Sequence, residues 1–386
     1  LKPEPSGIPV QLLPFVQGDT IVVRSPGRIN LIGEHTDYND GYVLPAAIDK
    51  AVYLALTPRH DEVIHLRSLD FNEDYTTTAQ ELRKAGNASW PNYILGVADQ
   101  FRRAGATLSG FDAVITGEIP LGAGLSSSAA VECSVAFALN QLLQTQYEKL
   151  PLVKLAQRAE NEFVGVRCGI MDQFASVFGL ANHAIRLDCR SLDYEYVPFN
   201  PIGLSIVLLD TGVKHSLASS EYNLRRQQCE AGVSIMQRKY PDVASLRDVT
   251  SGMLHELAAQ MDAVIFRRCN YVVEENQRVL SACESLKAGD LNSFGKKMFQ
   301  THDALSREYE VSCPELDFLV DAVRNTAGVL GARMMGGGFG GCTINLIEES
   351  MANGLISHLK DLYSRRIGRE LTAHEVRISD GTQLIA

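Results

Sequence analysis

Apolar positions along this chain follow two rhythms, short β-rich runs and longer helical stripes. Residues 20–25 (TIVVRS), 51–57 (AVYLALT) and 63–69 (VIHLRSL) predict strands, the last two separated by the turn-like PRHDE. Pro91 to Arg103 predicts a helix with Ile94, Val97 and Phe101 on one side. FDAVITGEIP reads as strand and turn. LGAGLSSSAAVECSVAFALNQLL then passes from a Gly/Ser loop into a long helix whose first serines suit capping. Residues 151–165 and 168–178 predict two more helices, and HAIRLDC and LSIVLLD two strands. From Ser219 to about Lys297 the pattern is mostly helical. Residues 328–335, the glycine cluster at 336–341 and residues 343–347 predict strand, loop and strand.

Strands and helices mixed without strict βαβ alternation predict an α+β fold. No solenoid repeat, low-complexity tract or Pro-rich linker interrupts the pattern. At 386 residues the chain exceeds what one core usually holds. Two lobes are therefore expected, 1–200 and 201–386, meeting near Asn200-Pro201.

Composition adds exclusions. Hydrophobic residues make up 45% and charged residues 21%, ordinary for a globular protein in water. No apolar run approaches the roughly 20 residues of a membrane span. The start, LKPEPSGIPVQ, lacks a signal-peptide pattern. Asn87-Ala88-Ser89 matches a glycosylation acceptor, but nothing else points to secretion, so we treat it as chance. A net charge of -10 argues against nucleic-acid binding. It leaves room for a phosphate ligand held by a local cradle of backbone N–H groups. The cysteines (133, 168, 189, 229, 269, 283, 313 and 342) are scattered without a C-x-x-C pair, which disfavours zinc knuckles and disulfide frameworks. A reducing cytoplasm is the expected location.

Three motifs carry candidate chemistry. In PLGAGLSSSAA (120–130), Gly122 and Gly124 let backbone approach a ligand, and Ser126 to Ser128 open a helix whose N-terminus suits phosphates. The alternative is a glycine turn capped by serine. It is not a Walker A loop, since no Gly-Lys-Ser/Thr follows. GGGFGGC (336–342) formally contains G-x-G-x-x-G, but a strand follows where a dinucleotide site needs a helix. The third motif, GRINLIGEHTDYNDG (27–41), sets Glu34, His35 and Asp37 between apolar runs, where charge is costly unless satisfied. Such a trio suits a polyhydroxylated ligand; a structural network pairing Arg28 with Glu34 or Asp37 is the alternative. Asp172, in CGIMDQF, is either a helix cap or a buried proton acceptor.

These three motifs resemble the signatures of the galactokinases, within the GHMP small-molecule kinases. CGIMDQ, LDCRSL, KHSLASSEYN and EVSCPELD are similar too, so the resemblance runs from about residue 20 to 345. It implies a two-lobed fold, with an N-terminal lobe like ribosomal protein S5 domain 2 and a ferredoxin-like C-terminal lobe with added helices. It also implies a reaction, transfer of the ATP γ-phosphoryl group to the 1-OH of D-galactose, with Mg²⁺ as cofactor in a protein expected to be monomeric. Carried over by residue, Asp172 matches the catalytic base and Arg28 its partner. Glu34, His35, Thr36, Asp37, Gly169, Asp172 and Tyr222 match the sugar pocket. Gly122, Ala123, Gly124, Leu125, Ser126, Ser127 and Ser128 match the phosphate loop, with Ser68 near the nucleotide. Ser128 and Glu160 match the Mg²⁺ ligands.

The chain departs from the usual pattern in three places. ARMMGGGFGG has Ala332 and Met335 where hydroxyl residues are expected, and LLDTGVKHS has Gly212 where asparagine is expected. These put sugar preference in question, not the reaction. N-acetylgalactosamine kinase and a weakly catalytic galactose- and ATP-responsive regulator remain as rival readings.

Overall fold

A computed structural model describes residues 7–86, 90–120, 122–213 and 218–386, the last range without the side chains of Ala218 and Ser219. Asn87-Ala88-Ser89, Leu121 of the glycine loop and residues 214–217 of KHSLASSEYN lie outside the described residues.

The chain opens with β1 (Ile21–Asn30), β2 (Tyr42–Val43) and the long β3 (Pro45–Pro58). β4 (Val63–Ser68), β5 (Glu73–Thr78), α1 (Pro91–Arg103), β6 (Phe111–Gly117) and α2 (Ser127–Leu142) follow. α3 (Lys149–Arg158) runs into a π-helical turn at Ala159–Val164. Then come α4 (Met171–Phe178), β7 (His183–Asp188) and β8 (Tyr194–Pro198).

The second half supplies β9 (Leu204–Asp210), α5 (Ala218–Met236), α6 (Ser251–Glu256), α7 (Ala263–Lys287) and α8 (Leu291–Arg307). α9 (Pro314–Val323), β10 (Val329–Met334), β11 (Cys342–Glu348), α10 (Glu349–Ile367), β12 (Thr372–Val376) and β13 (Gln383–Leu384) complete it.

A six-stranded sheet in the order β13-β1-β3-β6-β4-β5 forms the N-terminal lobe, with β4 and β6 parallel and the other pairs antiparallel. β3 is covered on both faces, which is why AVYLAL reads as an unbroken apolar run rather than an alternation. α2 is alanine-rich and apolar all round because it lies buried against β1 and β3. The C-terminal lobe is an antiparallel sheet, β10-β11-β9-β12, with helices packed against it. A small sheet, β2-β7-β8, sits beside α4.

The two lobes share a core. The largest apolar cluster runs from Val23, Leu54 and Ile94 to Ile206, Leu208, Ile344 and Leu346. Residues 382–384 also cross back. Leu384 pairs with Val23, and the hydroxyl of Thr382 lies 2.8 Å from that of Ser25 on β1. Thr382 also donates to the carbonyl of Ser176 on α4, from its backbone at 2.7 Å and its hydroxyl at 3.0 Å. A division near residue 200 stays a proposal, with β13 added to the first lobe's sheet. No described helix is long and apolar enough to cross a membrane.

Candidate active site

β1 is longer than the sequence pattern predicts, and the extra residues matter. It continues through a bulge after Pro26, so Arg28 sits on the strand itself, its N–H donating to the carbonyl of Leu125 at 3.1 Å. The Arg28 side chain then reaches Asp172 Oδ1 from Nε at 2.7 Å and the Gly124 carbonyl from Nη1 at 2.6 Å. Asp172 lies in the first turn of α4, and its Oδ2 accepts a 2.5 Å bond from Ser126 Oγ. Burial works against the charge on Arg28, but the carboxylates of Asp172, Glu34 and Asp37 outweigh it and raise its pKa. Arg28 therefore keeps its charge despite its burial. Asp172 is not an N-cap, and Ser126, although at the cap position of α2, gives its hydroxyl to Asp172 instead of capping the helix.

A cavity of about 470 Å³ opens in front of this pair, lined by Glu34, His35, Asp37, Gly169, Tyr222 and the Gly336–Gly338 backbone as well as Arg28 and Asp172. Glu34 is nearly inaccessible and is held from behind. Its Oε1 accepts from Arg333 Nη2 at 3.0 Å and from the Gly336 N–H at 2.8 Å. Arg333 is itself fully buried and also donates to the carbonyls of Asn30, Leu31 and Met334. Asp37 carries the opposite problem. Burial, and then the neighbouring Asp172 charge, push its pKa up to about 7. Burial likewise raises the Tyr222 hydroxyl well above its usual value, with Asp37 adding to the effect.

Thr36 is the expected sugar contact that the fold sets apart. It is fully buried, does not line the cavity, and donates its hydroxyl to the carbonyls of Gly33 and Tyr42 at 2.9 and 2.6 Å.

A second cavity, about 680 Å³, lies on the other side of the α2 N-terminus. Ser68, Ser127 and Ser128 line it together with the aromatic rings of Phe71, Trp90 and Tyr93. The side chains of Ala123 and Leu125 are buried, so only their backbone could meet a ligand. The first four N–H groups of a helix have no partner within it, which leaves the α2 start free to face an anion.

Glu160 joins the two cavities. It lines the first, and the nearby Ser128 hydroxyl favours its ionised form. Burial, then Asp172, raise the Glu160 pKa. Gln173 donates one N–H to Glu160 at 2.7 Å and the other to Glu132 at 3.0 Å. Glu132 is fully buried, and its Oε1 lacks a partner. A hard divalent cation fits here: hydroxyl and carboxylate oxygens are present, and the crowded carboxylates favour added positive charge. Among the described residues no group of three or more His, Cys, Asp or Glu side chains is arranged to hold a metal alone. Phosphate oxygens would have to complete the coordination of Mg²⁺.

Ala332 and Met335 are buried in apolar clusters and line neither cavity, so the hydroxyls they replace are not missing from the site. Gly212 has a φ of +65°, a left-handed conformation that asparagine and glycine both accept. Arg333, Gln173 and Glu132 are the neighbours that sequence reasoning missed. Arg333 and Gln173 lie inside quoted motifs, and that adjacency was their only signal.

Residues 15–58 match the galactokinase galactose-binding signature, 92–180 the GHMP kinases N terminal domain and 282–365 the GHMP kinases C terminal. A galactokinase of Roseiflexus sp. (strain RS-1) is 44% identical over 361 residues, 94% of this chain and 92% of that one. The galactokinase of Thermotoga maritima is 45% identical over 363 residues, 94% of this chain and 99% of its own. This chain belongs to the galactokinase family.

Galactokinase architecture extends through the whole fold. The structure of Lactococcus lactis galactokinase complexed with galactose superimposes with a TM-score of 0.93 at 35% identity, over 97% of each chain. A mevalonate kinase at 18% identity and a TM-score of 0.65 shares the fold alone. As a member of this GHMP kinase family, the chain is an ATP-dependent sugar kinase.

Proposed function

We propose that this chain transfers the γ-phosphoryl group of ATP to the 1-OH of D-galactose, giving galactose 1-phosphate and ADP. One observation carries the reading. The Asp172 carboxylate, fixed by Arg28 and Ser126, faces a sugar-sized cavity at the point where the α2 N-terminus begins.

Phosphoryl transfer asks a protein mainly for in-line positioning and charge neutralisation. Glu34, Asp37 and Tyr222 would take sugar hydroxyls, leaving the 1-OH against Asp172. Asp172 would accept the hydroxyl proton at a carboxylate oxygen. Arg28 holds that carboxylate and would face the transferring phosphoryl with the rest of its guanidinium. ATP would lie in the second cavity, its base near Ser68 and the aromatic rings, its phosphates on the backbone N–H groups of residues 126–128. Mg²⁺, held by Ser128 and Glu160, would neutralise phosphate charge. A cytoplasmic, monomeric enzyme is part of the same proposal; eight free thiols suit a reducing compartment.

An ADP-release assay across galactose, galactosamine, N-acetylgalactosamine, glucose, mevalonate and homoserine tests the reading. Galactose should give the highest kcat/KM. Preference for N-acetylgalactosamine would move the assignment to that kinase, and galactose binding without ADP release would make the chain a regulator.

A further inference from the structure

Gln173 stands beside Asp172 in the first turn of α4, yet it is fully buried and lines neither cavity. Its amide nitrogen donates to Glu160 Oε2 at 2.7 Å and to Glu132 Oε2 at 3.0 Å. An amide nitrogen carries two protons, so both are spent on carboxyl groups. Three elements meet at this one atom: α4, the π-helical turn that carries Glu160, and α2, where Glu132 lies four residues beyond Ser128. Residues four apart in a helix share a face, so Ser128 and Glu132 are stacked along α2.

The grip on Glu160 is one-sided. Cys168 Sγ also donates to Oε2, at 3.3 Å, so this donor and Gln173 fall on the same oxygen and neither uses Oε1. The backbone of Glu160 is fixed as well. Its carbonyl accepts the Gly165 N–H at 2.8 Å, the i→i+5 bond of a π turn, and the Val166 N–H at 3.1 Å.

As core packing the arrangement is poor. Glu132 Oε1 and Gln173 Oε1 are buried without a hydrogen-bond partner. A half-satisfied polar network is less stable than apolar side chains of the same shape. A fold that carries this cost beside its metal ligand points to a task for the network at the site.

We propose that Gln173 is a positioning residue for the cation site: its amide braces Glu160 against Glu132, so that Glu160 presents Oε1 to Mg²⁺ in one orientation, while Gln173 itself touches neither metal nor substrate. Because Gln173 and Asp172 are neighbours on one helix, the brace also keeps the cation in register with the proton acceptor. The proposal rests on Glu160 binding Mg²⁺ in the proposed kinase reaction.

Cation binding, read apart from turnover, tests the brace. Gln173→Met keeps the length of the side chain and loses both bonds. Mn²⁺ binding in the presence of ADP, followed by loss of the free-ion electron paramagnetic resonance signal, should weaken about three- to fivefold, the scale of one net hydrogen bond. The Mg²⁺ concentration for half-maximal turnover should rise alike, with kcat at saturating Mg²⁺ and galactose affinity by calorimetry within about twofold. Glu132→Gln, whose amide oxygen still accepts from Gln173, should bind Mn²⁺ as the parent protein does, and Glu132→Met should bind it more weakly. Added to Glu160→Gln, Gln173→Met should cost nothing further, since its effect passes through Glu160. A lowered melting temperature with unchanged Mn²⁺ binding overturns the brace, as does additivity with Glu160→Gln. Should Gln173→Met lack a cooperative melt, Gln173→Met with Glu132→Met removes both orphaned oxygens together, and the same loss of Mn²⁺ affinity is expected. Unchanged Mn²⁺ binding in Glu160→Gln would refute the cation assignment and the brace with it; unchanged binding in Gln173→Met alone refutes only the brace.

Discussion

A β-carbon placed on Gly169 would stand 1.8 Å from Oδ2 of Asp37. No side chain fits there unless the Asp37 carboxylate moves. The glycine of CGIMDQ is therefore the wall that Asp37 leans on. Gly169→Ala should raise the galactose KM about tenfold to a hundredfold, the scale of a misplaced binding group, and leave the ATP KM unchanged. Combined with Asp37→Ala the effects should be less than additive, since the clash then has no target. A normal galactose KM in Gly169→Ala would remove Asp37 from the sugar contacts.

Asp172→Asn keeps the shape of the cavity but cannot accept the hydroxyl proton. Turnover should fall by about 10²–10⁴, while galactose binding measured by calorimetry stays within a few-fold. Near-normal turnover would exclude Asp172 as the base. Ser126→Ala should lie between, because only one of the bonds that hold the carboxylate is lost.

Glu160→Gln tests the metal assignment. The Mg²⁺ concentration for half-maximal activity at fixed ATP should rise several-fold, with Ser128→Ala shifting it the same way. An unchanged Mg²⁺ titration would take Glu160 out of the cation site.

The Asp37 carboxyl predicts a pH effect of definite sign. Its folded-state pKa of about 7 lies above the ordinary 3.8, so the folded chain binds this proton more tightly than the unfolded one. Its contribution to stability is therefore fullest below pH 3.8 and declines as pH rises to about 7. A sugar that needs the ionised carboxylate must displace the proton. Galactose affinity should improve between pH 6 and about 8, and calorimetry near pH 7 in buffers of different ionisation heat should detect proton release. Asp37→Asn should flatten both. A pH-independent affinity in the parent protein would contradict the shifted carboxyl.

Much of this was legible in the sequence, because local patterns report local structure. The helix over 91–103 was bounded correctly by its periodicity, and the strand expected after the glycine cluster is β11. Short polar strands were harder: β5 (EDYTTT) is a half-exposed edge strand without an apolar run to announce it. The site divided in the same way. Residue types marked Asp172, Arg28 and Glu34 as candidates, and the resemblance to galactokinases supplied the roles expected of them. Partners far along the chain were invisible, among them Arg333, which grips Glu34 across 299 positions. Hydroxyls misled most. Ser126 looked like a cap and Thr36 like a ligand, because sequence does not say which acceptor a hydroxyl will find.

Ser25 stands three residues before Arg28, and Ser176 one helical turn beyond Asp172. Both are tied together by Thr382, made 357 positions after Ser25. The strand and the helix that carry the reacting pair are thus clamped by a residue far along the chain from both. A growing chain can fold much of its first lobe early, yet that lobe stays unfinished until residue 382 has been made. Order of manufacture then acts as a safeguard: a chain that stops short of Thr382 has the residues of a kinase without the clasp that aligns them.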